Sequence, residues 1–180
     1  MKNWLTYMLV LIMLLSACNS SEQTDNPGGN SGEEAIDQSE GNKNSIHYEL
    51  LHHLDFMPPE VGTSLSIVQN EKLYLTWADI FGFDTIHNID FETEEVLFVT
   101  AYSDGCGRVL EHVEKEGETL IVKINYPEEL RKEKEFECTE IALPNTYVIK
   151  MEKTKTTKGK LIDINRTIHE DDAIVQEKLE

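Results

Sequence analysis

The feature that most constrains this chain is a short apolar run near its start, residues 4–17. A helix that spans a bilayer needs about 20 such residues, and this run is shorter. Lys2 precedes the run, and the next charged residue is Glu22. This arrangement is typical of the core of a signal peptide rather than of a membrane anchor. We therefore expect the folded part of the chain to begin further along.

The apolar run ends in Leu15-Ser16-Ala17-Cys18, which resembles the lipobox of bacterial lipoproteins. Small residues in an extended stretch fit a signal peptidase, and the Cys18 thiol can accept a diacylglyceryl group. The resemblance implies that residues 1–17 are removed and that Cys18 carries palmitate-like chains. It also implies that the protein lies on the extracytoplasmic face of the cell membrane. A plain secretory signal with a chance Cys, or a short uncleaved anchor, remain alternatives.

Residues 18–44 are rich in Ser, Gly, Asn and acidic residues, and their only large aliphatic side chain is Ile36. Such a segment buries too little apolar surface to offset its chain entropy, so we expect a disordered tether. As a flexible coil it would reach roughly 27–31 Å, enough to lift a domain off the lipid headgroups. Residues 45–180 are then long enough for one domain with a single hydrophobic core.

The acidic balance of the chain excludes one function class. Its formal charge is −18, from 16 Lys and Arg against 34 Asp and Glu. A nucleic-acid binder needs a basic face for phosphates, so none is expected as a partner. The sequence also lacks Gly-x-Ser-x-Gly, Walker-type and dinucleotide-binding motifs. We therefore predict no catalytic residues and no cofactor.

The apolar pattern predicts an α+β fold with a mostly antiparallel sheet of five to six strands and one or two short helices. Residues 70–81 have helical spacing, with Asn70 to cap the start and Gly82 to end it. Leu73, Trp77 and Ile80 are expected on one face of this helix, with Tyr74 and Phe81 beside them. Residues 96–99 are continuously apolar, as in a strand buried on both faces. Residues 46–57 fit either a helix or a strand.

Two hairpins are predicted from turn residues between alternating segments. Glu116-Gly117 joins the first pair, and Lys158-Gly159 is expected to join the second. Short connections of this kind favour antiparallel neighbours.

Cys106 and Cys138 form an even pair once Cys18 is assigned to lipid. Outside the cytoplasm such a pair is expected to be oxidised. A disulfide closing this loop would stabilise the fold by about 3–4 kcal/mol on the entropy model. The alternative is a reactive Cys106 thiol in Asp104-Gly105-Cys106-Gly107. A thiolate needs a positive neighbour, and the nearby acids oppose it.

Four features of residues 64–153 occur together: Trp77 after a short helix, Asp90-Phe91 before the strand at 96–101, the hairpin at Glu116-Gly117, and Pro144 before a late strand. In these features the segment resembles the C-terminal domain family of PrcB, a lipoprotein subunit of a bacterial surface-protease complex. The resemblance implies a non-catalytic accessory or protein-interaction module exposed on the envelope, with an envelope protein or a secreted protease as partner. Where the family carries a Thr-Gly-Gly-Tyr-like turn, this chain has Ser103-Asp104-Gly105-Cys106-Gly107-Arg108.

The turn at residues 104–108 is the candidate interaction site, with Asp104, Gly105, Gly107 and Arg108 as its residues. Glycines there permit tight turns and close approach of a ligand. An alternative function is a protease-inhibitor-like domain that uses this turn as a wedge. A second alternative is a solute-binding or metal-binding lipoprotein.

One histidine cluster and one lysine cluster are further candidate sites. His47, His52 and His53 lie close in sequence, but neighbouring residues diverge on a helix and on a strand, so no metal site is predicted from them. A lysine cluster has two open interpretations, protection of an edge strand or contact with anionic lipid. Its members are Lys153, Lys155, Lys158 and Lys160.

Replacing Cys18 by Ala is expected to abolish incorporation of radiolabelled palmitate and to release the protein from the membrane, because acyl chains supply the anchor. Labelling followed by membrane fractionation measures both effects. A Cys106→Ser/Cys138→Ser variant is the matched control and should still be labelled. Recovery of unprocessed, unlabelled wild-type chain from the cytosol would contradict the lipoprotein prediction.

Overall fold

The structure is a computed structural model that describes residues 44–176. The predicted signal peptide, the predicted lipid site at Cys18 and the tether up to residue 43 lie outside the described residues, as do residues 177–180. Among the helices in the described part, none has the length and apolar character needed to cross a bilayer.

The described residues form nine strands and two short helices, which confirms the predicted α+β class with a mainly antiparallel β-structure. The sequence predicted five to six strands. Two of the additional strands are β2 and the two-residue β9, which are too short to show a clear alternation of apolar and polar residues. In chain order the elements are β1 Tyr48–Leu54, β2 Ser64–Val68, α1 Glu71–Phe81, β3 Glu94–Ser103, β4 Val109–Glu116, β5 Thr119–Asn125, α2 Glu128–Arg131, β6 Leu143–Glu152, β7 Lys158–Asp163, β8 Arg166–Asp171 and β9 Val175–Gln176.

The strands form two sheets rather than one. The first has the order β1-β6-β3-β2-β9, and the second has the order β4-β5-β7-β8. One hydrophobic core combines side chains of both sheets, including Leu97, Ile149, Val122 and Leu161. A second core combines the first sheet with α1. The domain is therefore layered, with the five-stranded sheet between the helix and the four-stranded sheet.

Strand β3 belongs to both cores, as the continuous apolar run at 96–99 predicted. Val96 and Phe98 pack in the core that contains α1, whereas Leu97 and Val99 pack in the core between the sheets. Alternate side chains of a strand point to opposite faces, so an apolar strand can serve two cores only when both faces are covered. Strand β6 has the same property and pairs with β3 along its whole length.

Helix α1 begins and ends where the sequence predicts. The Asn70 side chain accepts a hydrogen bond from the Leu73 backbone N–H, and Gly82 ends the helix with φ of 67°. Leu73 and Trp77 are buried as the spacing predicts, together with Tyr74 and Phe81 beside them and with Ala78. Ile80, predicted on the same face, is instead 41% exposed.

The hairpin at Glu116-Gly117 is confirmed, since Glu116 pairs with Thr119 across β4 and β5. The second predicted turn is wrong. Lys158 and Gly159 begin β7, which pairs in parallel with β5, and the β7–β8 turn lies at Ile164 instead. Gly159 is needed for packing and not for turning, because a Cβ there would lie 2.6 Å from Ile174 Cγ2.

The lysine cluster does not protect a sheet edge. Lys158 and Lys160 lie on β7, which has β5 on one side and β8 on the other. Lys158 pairs with Asp172, and the Lys153 ammonium donates to the Phe91 carbonyl. The edge-strand interpretation is therefore wrong for β7, and contact with anionic lipid stays a prediction.

Replacing Gly159 by Ala is expected to lower the free energy of unfolding by about 1–3 kcal/mol, because the new methyl group overpacks the core against Ile174 and Leu65. Urea denaturation measures the change. Lys160→Ala, on the neighbouring and partly exposed position, is the control and should change stability little. Equal stability of Gly159→Ala and wild type would rule out this close approach.

Candidate functional site

The predicted disulfide is present and holds the candidate turn in place. Cys106 and Cys138 are bonded, with an S–S distance of 2.06 Å and Cα atoms 5.3 Å apart. The bond ties the turn between β3 and β4 to the loop that precedes β6. Beside it, the Gly105 N–H donates to the Thr139 carbonyl at 3.0 Å, and a Cβ at Gly105 would lie 1.8 Å from Thr139 Oγ1. Any larger residue at position 105 would therefore force the Thr139 side chain to move.

Arg108 ends the turn, and its side chain points into the protein. The residue is 8% exposed. Its guanidinium donates to both oxygens of Asp104, at 2.9 and 3.1 Å, and its Nε donates to Asp163 at 2.6 Å. The guanidinium also lies 4.0 Å from the centre of the Tyr126 ring, a cation–π distance. A buried cation is therefore satisfied by two carboxylates and one aromatic face.

Asp104 makes two further contacts within and beside the turn. Its carboxylate accepts from the Cys106 N–H at 3.0 Å and from the Tyr126 hydroxyl at 2.9 Å, besides Arg108. Burial alone would raise the pKa of Asp104, but the hydrogen bonds from Arg108 and Tyr126 outweigh it and hold that pKa below its ordinary value. The same pairing raises the pKa of Arg108 against the effect of burial. Both groups stay charged in the folded protein.

The backbone of Arg108 connects the turn to the first sheet. Its carbonyl accepts from Asn145 Nδ2 at 3.2 Å and from the Tyr147 hydroxyl. Asn145 Oδ1 accepts from His53 Nε2 at 2.8 Å, and the His53 ring stacks on Tyr147 with centres 4.5 Å apart. Strands β1 and β6 therefore position the turn through a continuous chain of polar contacts.

A cleft of about 440 Å³ opens beside this turn, and we refer to it as the β3–β6 cleft. Its wall combines the turn with the C-terminal end of β3, the N-terminal end of β6 and the C-terminal end of β1. Leu143, at the N-terminal end of β6, lines the cleft with its apolar side chain 41% exposed. The lining residues are His53, Asp55, Ser103, Gly105, Cys106, Gly107, Arg108, Leu143, Pro144 and Asn145.

The structure thus brings the predicted turn residues together at the cleft, but gives them different roles. Gly105 is exposed, and Asp104 and Gly107 are partly exposed. The guanidinium of Arg108 is buried and paired, so it does not project toward a partner. A protease-inhibitor wedge that works through the Arg108 side chain would need the guanidinium to project into solvent.

The three clustered histidines are separated by the fold. His47 is exposed and precedes β1, while His52 and His53 point to opposite faces of β1, as expected of a strand. His53 reaches the cleft, and His52 stacks on Phe83 at 4.0 Å. They share no ligand position.

The cleft has the residue types of a metal or hydrolytic site without the arrangement. Within residues 44–176, the group of three possible ligands that converges within 4.8 Å is Asp104, Cys106 and Cys138. The two sulfurs are bonded to each other, and the carboxylate is held by Arg108. Ser103 Oγ donates to the Leu143 carbonyl at 3.4 Å, and His53 Nε2 donates to Asn145 Oδ1 at 2.8 Å.

Sequence reasoning missed Tyr126, Asn145 and Asp163, which come to this site from elsewhere in the chain, and it singled out His53 only as part of a histidine cluster. Each is polar within or beside a strand, and that was the available signal. These residues converge because particular strand ends come together in the fold, and the local sequence pattern does not say which ends these are.

The comparisons with known proteins do not assign this site. No protein-family model, curated protein or solved structure matches the chain.

Replacing Asp104 by Asn is expected to lower the free energy of unfolding at neutral pH by about 1–3 kcal/mol, because buried Arg108 loses a charged partner. The folded-state pKa of Asp104 is depressed, so its contribution is present above the ordinary Asp pKa and is lost as pH falls through the folded-state value. The difference in the free energy of unfolding between wild type and Asp104→Asn should therefore become smaller at acidic pH. Urea denaturation across this pH range measures it.

Asp55→Asn is the matched control, since Asp55 also lines the cleft but is exposed and outside the Arg108 contacts. It should change stability little at either pH. The stabilising role of the Asp104–Arg108 ion pair would be contradicted if Asp104→Asn lowered the free energy of unfolding by the same amount at neutral and at strongly acidic pH.

Proposed function

We propose that this protein is a lipid-anchored extracytoplasmic lipoprotein whose folded domain acts as a non-catalytic accessory module that binds a protein of the cell envelope. The lipobox-like Leu15-Ser16-Ala17-Cys18 supports the anchor, and the polar segment after it supports a tether. The resemblance of residues 64–153 to an accessory subunit of a protease complex agrees with a binding role.

The observation that carries the proposal is the exposed apolar side chain of Leu143 in the wall of the β3–β6 cleft, next to Pro144. Leu143 is 41% exposed, yet it stands on a strand that pairs in register with β3, with Ser103 opposite Leu143. Large apolar groups held rigidly at the surface are typical of protein-interaction sites. Side chains of this kind are already held in place before binding, so little conformational entropy is lost when a partner binds.

The lining of the cleft favours a protein over a small molecule. Sites for small molecules enclose most of the ligand surface in a mainly apolar cavity. This cleft is open to solvent, and its wall mixes Asp55 and His53 with Leu143 and Pro144. A protein surface with an apolar anchor and a polar rim matches that mixture. The buried guanidinium of Arg108 gives no support to the inhibitor alternative.

Crosslinking in native envelopes, followed by recovery of the protein and its partners, tests the proposal. Leu143→Asp is expected to reduce the recovered partner several-fold, because a charge at the rim opposes burial. Ile80→Asp is the matched control, since Ile80 has the same 41% exposure but lies on α1, outside the residues that line the cleft. It should leave recovery unchanged.

Two results would contradict the proposal. One is equal recovery with the wild type and the Leu143 variant. The other is an equal loss in both variants, which would indicate a general effect of surface charge. Circular dichroism of each purified variant separates a binding defect from unfolding.

A further inference from the structure

The segments on either side of the β3–β6 cleft carry an excess of negative charge. Residues 53–57 and 137–145 contain Asp55, Glu137 and Glu140 and no Lys or Arg. All three acidic residues are exposed, and none of them belongs to an ion pair within the part of the chain that the structure describes. We refer to these two segments, with the cleft between them, as the acidic end of the domain.

The guanidinium of Arg108 does not balance this charge. It is buried and already shared between Asp104 and Asp163, at 2.9 and 2.6 Å. Two carboxylates therefore surround one cation, and no positive charge is left over for the surface. The exposed carboxylates of the acidic end remain available to a partner.

Large apolar side chains are interspersed among these carboxylates. Phe56 and Ile141 each follow an acidic residue in the sequence, and both are about half exposed. Leu143 lies in the cleft wall between them. The Thr146 hydroxyl donates to the Phe56 carbonyl at 2.7 Å, which holds that segment beside the start of β6. The acidic end therefore offers apolar contact area and negative charge on the same surface.

The acidic end lies away from the point where the tether joins the domain. The Lys115 backbone N–H donates to the Asn44 carbonyl at 2.9 Å, so the chain enters beside the C-terminal end of β4. The turn that ends in Arg108 precedes the other end of this strand. At the rise of a β-strand the two points are roughly 20 Å apart. A protein partner can therefore approach the acidic end without competing with the tether for space.

Resting on the function proposed above, we propose that the acidic end binds a cationic segment of an envelope protein, in which Lys or Arg residues lie next to large apolar side chains. The cations would meet the exposed carboxylates, and the apolar groups would cover Phe56, Ile141 and Leu143. The formal charge of −18 on the whole chain adds long-range attraction for such a segment.

The same charges disfavour two other occupants of this surface. A second copy of the chain, bound by the same surface across a two-fold axis, would set carboxylates against carboxylates. Anionic lipid would repel the acidic end for the same reason, since lipid surfaces of this kind attract basic segments. A positively charged protein segment is the occupant that complements both the charge and the apolar groups.

Three synthetic peptides test the charge preference. They share the same Leu residues and carry Lys, Gln or Glu at the remaining positions. Fluorescence anisotropy measures their binding to the full-length protein. We expect the Lys peptide to bind about tenfold or more tightly than the Gln peptide at low salt, and the Glu peptide to bind most weakly. The advantage of the Lys peptide should shrink as NaCl is added, because salt screens exposed charges.

Asp55→Asn/Glu137→Gln/Glu140→Gln removes the three exposed charges and keeps the size of each side chain. It is expected to weaken binding of the Lys peptide about fivefold or more, since each exposed ion pair contributes modestly. Binding of the Gln peptide should change little.

Glu116→Gln/Glu118→Gln/Glu152→Gln is the matched control, because it removes the same charge from exposed residues at the tether end of the domain. It should bind the Lys peptide as the wild type does. The proposal is overturned if the Lys peptide binds no more tightly than the Gln peptide, or if both triple variants weaken binding equally. Thermal melts identify a variant that fails to fold, and the salt dependence of the wild type then decides.

Crosslinking in native envelopes separates this inference from the function on which it rests. The charge-removed variant of the acidic end should lower partner recovery, as Leu143→Asp should. If Leu143→Asp lowers recovery and the charge-removed variant does not, protein binding at the cleft stands and the cationic partner is overturned. If neither variant lowers recovery, both proposals fail.

Discussion

The buried guanidinium of Arg108 is the interaction on which the arrangement at the cleft depends. A cation taken out of water costs several kcal/mol unless it is paired and hydrogen-bonded. Here Asp104 comes from the turn after β3, in the five-stranded sheet, and Asp163 comes from the end of β7, in the four-stranded sheet. The pairing is complete only when both sheets are in place. It therefore couples the local shape of the turn to the packing of the whole domain.

The disulfide and the ion pairs act on the same turn from two sides. Cys106 is bonded to Cys138 in the loop before β6, while the Arg108 carbonyl accepts from Asn145 and Tyr147 on β6 itself. The disulfide acts mainly by restricting the unfolded chain. The hydrogen bonds select one conformation of the folded chain. Together they hold exposed apolar groups such as Leu143 at fixed positions, which a binding surface requires.

Strand β1 places two adjacent histidines in different surroundings. His53 points to the cleft and contacts Asn145, and His52 points the other way toward Phe83 and His87. Because successive side chains of a strand alternate, two adjacent and identical residues have different surroundings. A substitution at one of these positions therefore changes one face of β1 and leaves the contacts on the other face in place.

The local features of this protein could be predicted from its sequence, because short-range chemistry determines them. Asn70 and Gly82 bound α1, Glu116-Gly117 turns a hairpin, and the apolar run at 96–99 is a strand buried on both faces. The cysteine pairing followed from there being two thiols outside the lipid site. Errors arose where packing overrides local pattern: Ile80 is exposed, and Gly159 permits close packing rather than a turn.

The amino-acid sequence by itself determined both ends of α1, the hairpin at Glu116-Gly117 and the covalent link between Cys106 and Cys138. Tertiary structure alone decided that Arg108 turns inward to Asp163 and that His52 meets His87. These contacts join residues that are far apart in the chain, and they exist only because particular strand ends and one returning loop are packed together. Local spacing contains no information on that packing, since it depends on the combined burial of both cores.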